Sequence, residues 1–267
     1  MNQEFIDSFR HYQEYDNWFI GFNPLSKLNI LFAFGLSAMF IKEWKYGFAL
    51  CLMYCIFAIL IGKAKPFFKS FSVLVLLFGV FTLILRQFSV HGTTVLFSFF
   101  GLFDVTEEAL INGLDMASSL LGFSGAIILF FITTQMRDLM YSLEKRGVSH
   151  TVSYIILASF QTMKDLKKNM ETIMESQKAR GIETEGGIVI RVKAFFPILG
   201  PLILGAISGT EEKSIAMDAR AFSAKCQHTF LRELKPVPVY EKIIVLLVNL
   251  FFAASVGFKI YTIFILK

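Results

Sequence analysis

Arg180 and Arg220 each sit between small residues, in the tripeptides Ala179-Arg180-Gly181 and Ala219-Arg220-Ala221, inside a charged block of an otherwise apolar chain. Arginine offers a planar fork of donors that suits a carboxylate, and small neighbours let another surface approach the backbone closely. The chemistry this pattern suggests is recognition of acidic groups on another protein. Two plainer readings stay open. In one, Arg180 only complements the negative end of a helix dipole, a term of about 0.3–1 kcal/mol. In the other, Arg220 is a solvated side chain on an amphipathic helix.

Catalytic constellations are not found beside these arginines. The chain has no Gly-x-x-x-x-Gly-Lys-Ser/Thr phosphate loop and no His-Glu-x-x-His pair. His11, His91, His150 and His228 are scattered without ligand spacing. Ser142-Leu143-Glu144-Lys145 fits a Ser-x-x-Lys pattern, but in a helical stretch so short a match is a coincidence of composition. Cys51 and Cys55 lie on one apolar helix and Cys226 is remote, which suggests neither a disulfide framework nor a zinc site. Enzyme chemistry, a metal site and a cofactor bound by this chain are therefore not expected.

The elements that position the arginines belong to a membrane protein. Hydrophobic residues make up 55% of the sequence and the mean hydropathy is +0.59, more apolar surface than one soluble core can hide. Apolar runs of roughly 16–20 residues recur, close to the ~20 a spanning helix needs. Five are expected to span: Leu28–Ile41, Tyr46–Ile61, Phe71–Leu85, Ala117–Thr134 and Ile243–Leu266. Pro24 marks the start of the first. Met1-Asn2-Gln3-Glu4 lacks the pattern of a cleavable signal peptide, so the first span is expected to direct insertion. Thr93–Phe103 is apolar but short, and reads as re-entrant, interfacial, or part of a hairpin or sixth span. No Asp or Glu lies in the core of the five spans, which speaks against a self-sufficient ion-coupled transporter.

Charge sets the orientation. The Lys63/Lys65/Lys69 loop and the charged block carry lysine and arginine and are expected inside, whereas Asp104, Glu107, Glu108 and Asp115 fall outside. The N-terminus is then cytoplasmic and the C-terminus external. The net charge of +5 is explained by these loops rather than by nucleic acid. The organisation reads as a membrane region over 1–135, a cytoplasmic helical region over 136–242 and a final span over 243–267.

Within the block, Ile156, Phe160, Met163, Leu166, Met170, Ile173 and Met174 recur at helical spacing, opposite Gln161, Lys164, Asp165, Lys168, Glu171, Glu175 and Lys178. The spacing predicts an amphipathic helix over Ser153–Lys178, closed by Gly181 in a left-handed cap with Arg180 in its last turn. Ala194–Ile207 is broken by Pro197 and Pro201, and at 14 residues reads as a helix at the membrane surface or against its neighbours. Ser208 and Glu211 resemble a capping box for a separate helix over Thr210–Lys225, with Arg220 in its body among Ala216, Ala219, Ala221 and Ala224.

At these residues the chain resembles the transmembrane T component (EcfT, including the CbiQ branch) of energy-coupling factor transporters, ABC-type importers of vitamins and transition-metal ions. The family's two Ala-Arg-Gly-like motifs correspond to Ala179-Arg180-Gly181 and Ala219-Arg220-Ala221, and Asn23-Pro24-Leu25-Ser26-Lys27 is similar to its Asp-Pro-Arg-x-Lys approach to the first span. Ala221 stands where the family has Gly, and Asn23 where it has an acid. The resemblance implies an all-α polytopic membrane protein with about five transmembrane helices and a cytoplasmic block of amphipathic coupling helices. It implies that Arg180 and Arg220 enter grooves on two cytoplasmic ATPases, which bind ATP and Mg. It also implies that Phe160, Met163, Met170, Met174, Phe195 and Phe196 contact a small membrane S component that binds the substrate. The alternative is a stand-alone permease or channel working without an ATPase, motivated by Thr93–Phe103.

Overall fold

A computed structural model describes residues 11–12, 17–89, 95–99, 103–182, 187–222, 224 and 232–265. His91, Cys226, His228 and most of the turn expected after Gly181 lie outside these residues. The chain divides into two units, Met1–Arg146 with Arg232–Lys267, and Gly147–Leu231.

The first unit is a bundle. Its helices are α1 (Pro24–Phe40), α2 (Trp44–Leu60), α3 (Ala64–Ser89), α4 (Glu107–Thr133), the short α5 (Met136–Glu144) and α8 (Val239–Ile265). Asn23 caps α1, its Oδ1 accepting from the Leu25 amide at 3.0 Å, and Pro24 occupies the first turn, where a missing N–H costs nothing. α3 contains a π-helical turn over Val75–Val80, and the Thr82 hydroxyl donates back to the carbonyls of Phe78 and Gly79.

α4 is the axis of the bundle. Leu121, Ala126, Leu129 and Phe130 pack with Leu31, Leu50, Tyr54, Phe67 and Phe71 from α1, α2 and α3. Close approach depends on absent side chains: a Cβ on Gly47 would lie 2.6 Å from the Ser118 Cβ, and one on Gly125 would lie 2.9 Å from the Tyr54 ring. Contacts between residues early and late in each helix fix the directions. Gly35 meets Ala126 and Gly122 meets Ala38, so α1 and α4 are antiparallel. Gly47 meets Ser118 and Tyr54 meets Gly125, so α2 and α4 are parallel. Gly113 meets Leu83 and Gly125 meets Phe71, so α3 opposes α4. Phe22 pairs with Tyr240, Phe34 with Phe251 and Phe40 with Phe252, so α8 runs with α1. These five helices alternate in direction as five successive crossings must.

α3, α4 and α8 are long and apolar enough to cross a membrane, whereas α1 and α2 have 17 residues each. That length is near the lower bound of about 17 for a span. The all-α, polytopic membrane fold thus holds, with small strand pairs as accessories. His11–Tyr12 (β1) runs parallel to Arg232–Glu233 (β4), and Val95–Phe99 (β2) runs antiparallel to Phe103–Thr106 (β3). Thr93–Phe103 is consequently not a sixth helical span: its described backbone forms one strand and begins the return strand of a hairpin.

The second unit is a helical hairpin of α6 (His150–Ala179) and α7 (Ile188–Ala219). Here a sequence expectation fails. Ala194–Ile207 and Thr210–Lys225 are not two helices: α7 runs unbroken through Pro197, Pro201, Ser208 and Glu211. Its Val192–Ala219 stretch is also long and apolar enough to cross a membrane. One side chain offsets part of the cost. Proline at 201 lacks the N–H that would bond the carbonyl four residues back, at Pro197. The Gln177 amide Nε2 of α6 donates to that carbonyl at 3.3 Å. A proline normally weakens a helix by orphaning an acceptor, and here the neighbouring helix supplies the donor.

Candidate functional site

Each arginine tripeptide is the C-terminus of a helix of the hairpin, and the two ends are built alike. On α6, Arg180 is the cap residue with φ −83° and ψ 4°, followed by Gly181 at φ +84°. The Gly181 amide donates to the Lys178 carbonyl at 3.0 Å, and the Ile182 amide donates to the Gln177 carbonyl at 3.1 Å. On α7, Arg220 is the cap residue with φ −93° and ψ 8°, followed by Ala221 at φ +56°. The Ala221 amide donates to the Asp218 carbonyl at 3.0 Å, and the Phe222 amide donates to the Met217 carbonyl at 3.1 Å. Both ends are Schellman motifs, which use a left-handed residue to fold the chain back over the last carbonyls. The small third residue of each motif is therefore a backbone requirement. Arg220 is not in a helix body, as its alanine-rich surroundings suggest; it ends α7 as Arg180 ends α6.

Three contacts set the geometry of the hairpin. Gln177 of α6 meets Pro197 of α7. Asp165 faces Lys213 at 3.8 Å. Phe222 lies against the His150 and Tyr154 rings, at centroid distances of 5.4 and 4.9 Å. Residue numbers rise on one helix as they fall on the other, so the pair is antiparallel. Arg220 then sits beside the start of α6 and Arg180 at its end, and 30 helical residues separate them. At 1.5 Å per residue the arginines stand on the order of 45 Å apart, at opposite ends of one antiparallel pair.

Both arginines are exposed. Each also lies beside the carbonyl end of its helix, where a cation is favoured. The dipole term and a docking role are compatible, since the same placement that steadies the guanidinium leaves its donors outward.

The apolar stripe of α6 divides. Phe160 and Met163 are exposed, while Leu166, Met170, Ile173 and Met174 are half-buried. Phe195 and Phe196 are exposed on α7, on either side of which Ala194 and Ile198 are buried. The structure thus separates three outward aromatics and a methionine from two half-buried methionines.

Two features have weak sequence signals. Gln177 looks like another polar residue of the solvated face, yet it is buried, bonds Pro197 through its side chain and accepts the cap bond through its carbonyl. Only the coincidence of two prolines four apart with an orphan carbonyl could have pointed to it. Lys27 is the second. It is 2% exposed, and its Nζ donates to the Ile20 carbonyl at 2.6 Å and to the Thr133 carbonyl at 3.2 Å. Asp138 and Glu241 are the carboxylates whose charge reaches it. Glu241, also 2% exposed, accepts from the Asn23 amide at 3.0 Å. The Asn23-Pro24-Leu25-Ser26-Lys27 segment therefore ties together the start of α1, the end of α4, α5 and the start of α8.

Residues 16–229 match the family model CbiQ, described as a cobalt transport protein. The chain is 30% identical over 231 residues to the energy-coupling factor transporter transmembrane protein EcfT of Listeria innocua, covering 82% of this chain and 86% of that one. It is 28% identical over 255 residues to the EcfT protein of Leuconostoc gelidum, covering 92% and 91%. It is 30% identical over 186 residues to that of Bacillus subtilis, covering 65% and 70%. The arginine-capped hairpin falls within the matched residues, and on this ground together with its multi-pass helical bundle the chain belongs to the CbiQ/EcfT family of transporter membrane components.

Proposed function

We propose that this protein is the transmembrane scaffold and energy-coupling subunit of an ECF-type ABC importer in the cell membrane. It is non-catalytic. Two cytoplasmic ABC ATPases bind ATP and Mg, and a small membrane S component binds the vitamin or transition-metal ion. The N-terminus is cytoplasmic and the C-terminus external, following the lysines at 63, 65 and 69 and the charged hairpin.

The observation that carries this reading is the repeated construction of the two arginine caps. Two equivalent docking points on opposite ends of one stiff hairpin suit two related partners better than one. Each cap is held by two backbone hydrogen bonds, so Arg180 and Arg220 start from fixed Cα positions. Each guanidinium pairs with carboxylates in a groove of one ATPase. When ATP draws the ATPases together, both ends of the hairpin are loaded at once, and the two helices transmit the displacement towards the membrane. Phe160, Met163, Phe195 and Phe196, with Met170 and Met174 behind them, meet the S component.

The test is Arg180→Glu with Arg220→Glu, read by ATPase co-purification and substrate uptake. Reversing one buried interfacial charge partner costs at least the 2–5 kcal/mol of truncating it, so each single variant loses about 30-fold or more in ATPase affinity. Arg180→Lys keeps the charge and loses the fork, and falls between. Unchanged co-purification and uptake in the double variant would remove the arginines from the coupling mechanism.

A further inference from the structure

We propose that α8 pairs in the membrane with α8 of a second copy of this chain, through a hydrogen bond between the two Asn249 side chains. One side of α8 is already used: Ile244, Val245, Val248 and Phe252 pack against Phe22, Ile30, Ala33 and Phe34. Another side is uncovered. Leu246 is 67% exposed and Leu250 69%, and Asn249, Ala253 and Gly257 are exposed with them. These five residues follow one another at three and four positions, so they form one stripe along the helix. A Cβ added to Gly257 would meet nothing within 4 Å, so the stripe is open at that turn.

Asn249 stands deep in the membrane. Lys242 is exposed at the start of α8, and the Lys259 Nζ lies 5.4 Å from the centre of the Phe40 ring at the end of α1. From Asn249 these lysines are seven residues back and ten residues on, roughly 10 and 15 Å, which places the amide near the middle of a ~30 Å hydrocarbon core. The hydroxyls of the spans satisfy themselves there: Ser37, Thr82, Ser118, Thr133 and Ser255 each donate to a carbonyl three or four residues back. Asn249 makes no hydrogen bond to any described residue. Lipid tails offer an amide nothing in return, so an amide held among them is costly until another helix supplies a partner.

A second copy supplies that partner by symmetry. Every copy inserts with the same orientation, so two α8 helices that meet side by side run parallel and bring position 249 to the same depth. A side-chain amide carries both a donor and an acceptor and is therefore complementary to itself, as a twofold interface requires. One and two turns further on, Ala253 and Gly257 meet their own counterparts, and their lack of bulk lets the two backbones approach. Leu246 and Leu250 then close over the amide pair from either side.

The experiment is energy transfer between full chains carrying donor or acceptor fluorophores, reconstituted together in phosphatidylcholine–phosphatidylglycerol vesicles over a range of protein-to-lipid ratios. Transfer rises linearly with the acceptor fraction, as for a pair, and falls when unlabelled chain is added. Asn249→Leu weakens pairing about five- to thirtyfold, the strength of an interhelical hydrogen bond between model membrane peptides. Asn249→Gln keeps the amide and retains most of the pairing. Gly257→Leu weakens pairing with the amide intact, and serves if Asn249→Leu fails to insert. Leu247→Ala, on the surface of α8 away from the stripe, changes nothing. Chains that stay single at every ratio would overturn the proposal. So would pairing that both Asn249→Leu and Gly257→Leu leave unchanged, or that Leu247→Ala weakens as much. Loss of a different co-purifying membrane protein in Asn249→Leu, with the chains themselves single, would assign the amide to that protein and overturn it too.

Discussion

Replacing Ala221 by glycine should strengthen the end of α7. Ala221 is the described non-glycine residue with a positive φ, +56°, and it occupies the position that Gly181 fills at φ +84° on α6. A left-handed conformation costs an L-residue roughly 1–2 kcal/mol through the clash of Cβ with the following carbonyl. Glycine removes that cost but returns about 0.4–1 kcal/mol through the greater freedom of its unfolded chain. The net gain is about 0.5–1 kcal/mol, or a two- to fivefold shift in the opening equilibrium of the cap. Hydrogen exchange of a peptide spanning Met217–Phe222 reads this directly, because the Ala221 and Phe222 amides make the cap bonds. Ala221→Gly slows their exchange by that factor. Gly181→Ala has the opposite effect on Gly181 and Ile182, and its cost is purely conformational, since a Cβ there meets nothing within 4 Å. Exchange at Phe222 that is unchanged or faster in Ala221→Gly would refute the left-handed cap, and with it the equivalence of the two arginine sites.

Gln177→Leu removes the donor to the Pro197 carbonyl and destabilises the hairpin by about 1–2 kcal/mol. Pro201→Ala restores a backbone N–H to that carbonyl, so in its background Gln177→Leu becomes nearly neutral; a thermodynamic cycle on exchange rates in α7 checks the non-additivity. Lys27→Met leaves the Ile20 and Thr133 carbonyls and two carboxylates without their cation, a loss of about 3 kcal/mol that appears as a drop of roughly 5–10 °C in the unfolding midpoint in detergent. Gly47→Val forces α2 away from α4, because its Cβ meets both the side chain and the backbone of Ser118, and costs about 1–3 kcal/mol. Ser118→Gly recovers only part of this, since the contact to the Ser118 carbonyl carbon at 2.8 Å remains, and the same unfolding midpoint measures both.

The helices of the bundle were legible because hydropathy reports burial in lipid directly. Pro24, Ile61 and Thr134 mark ends to within a few residues, whereas α3 begins at Ala64 and α4 at Glu107, well before the expected starts at Phe71 and Ala117, because polar residues of their first turns are helical too. The continuity of α7 was not legible. Pro197 and Pro201 are sound local signals for a break, and Ser208 with Glu211 is a sound signal for a new start. Against the break at Pro201 works a tertiary bond from Gln177, 20 residues upstream, to the one carbonyl that Pro201 abandons. Local rules count the orphan and cannot see the donor. The same blindness put Arg220 in a helix body: the helix expected over Thr210–Lys225 ran past it, while the left-handed turn at Ala221 uses a residue that rarely adopts it.

That last departure bears on mechanism. A cap needs its left-handed residue because the cap bonds cannot close otherwise, and glycine serves that need at the least cost. At Ala221 the cap bonds close at the same lengths as at Gly181, within 0.1 Å, despite the Cβ. The strain is offset beyond the motif, where Phe222 sits against His150 and Tyr154 at the start of α6. The end of α7 is thus held by its partner helix rather than by its own residue choice. The Gly181 end has the reverse balance, with an unstrained turn and the Gln177 bond one turn earlier. In both, the residue before the left-handed turn is an arginine whose backbone is fixed and whose side chain is exposed. Two different local solutions thus meet one geometric requirement at the two ends of one hairpin, as the pair of docking points proposed above requires of a chain that does not repeat its sequence in full.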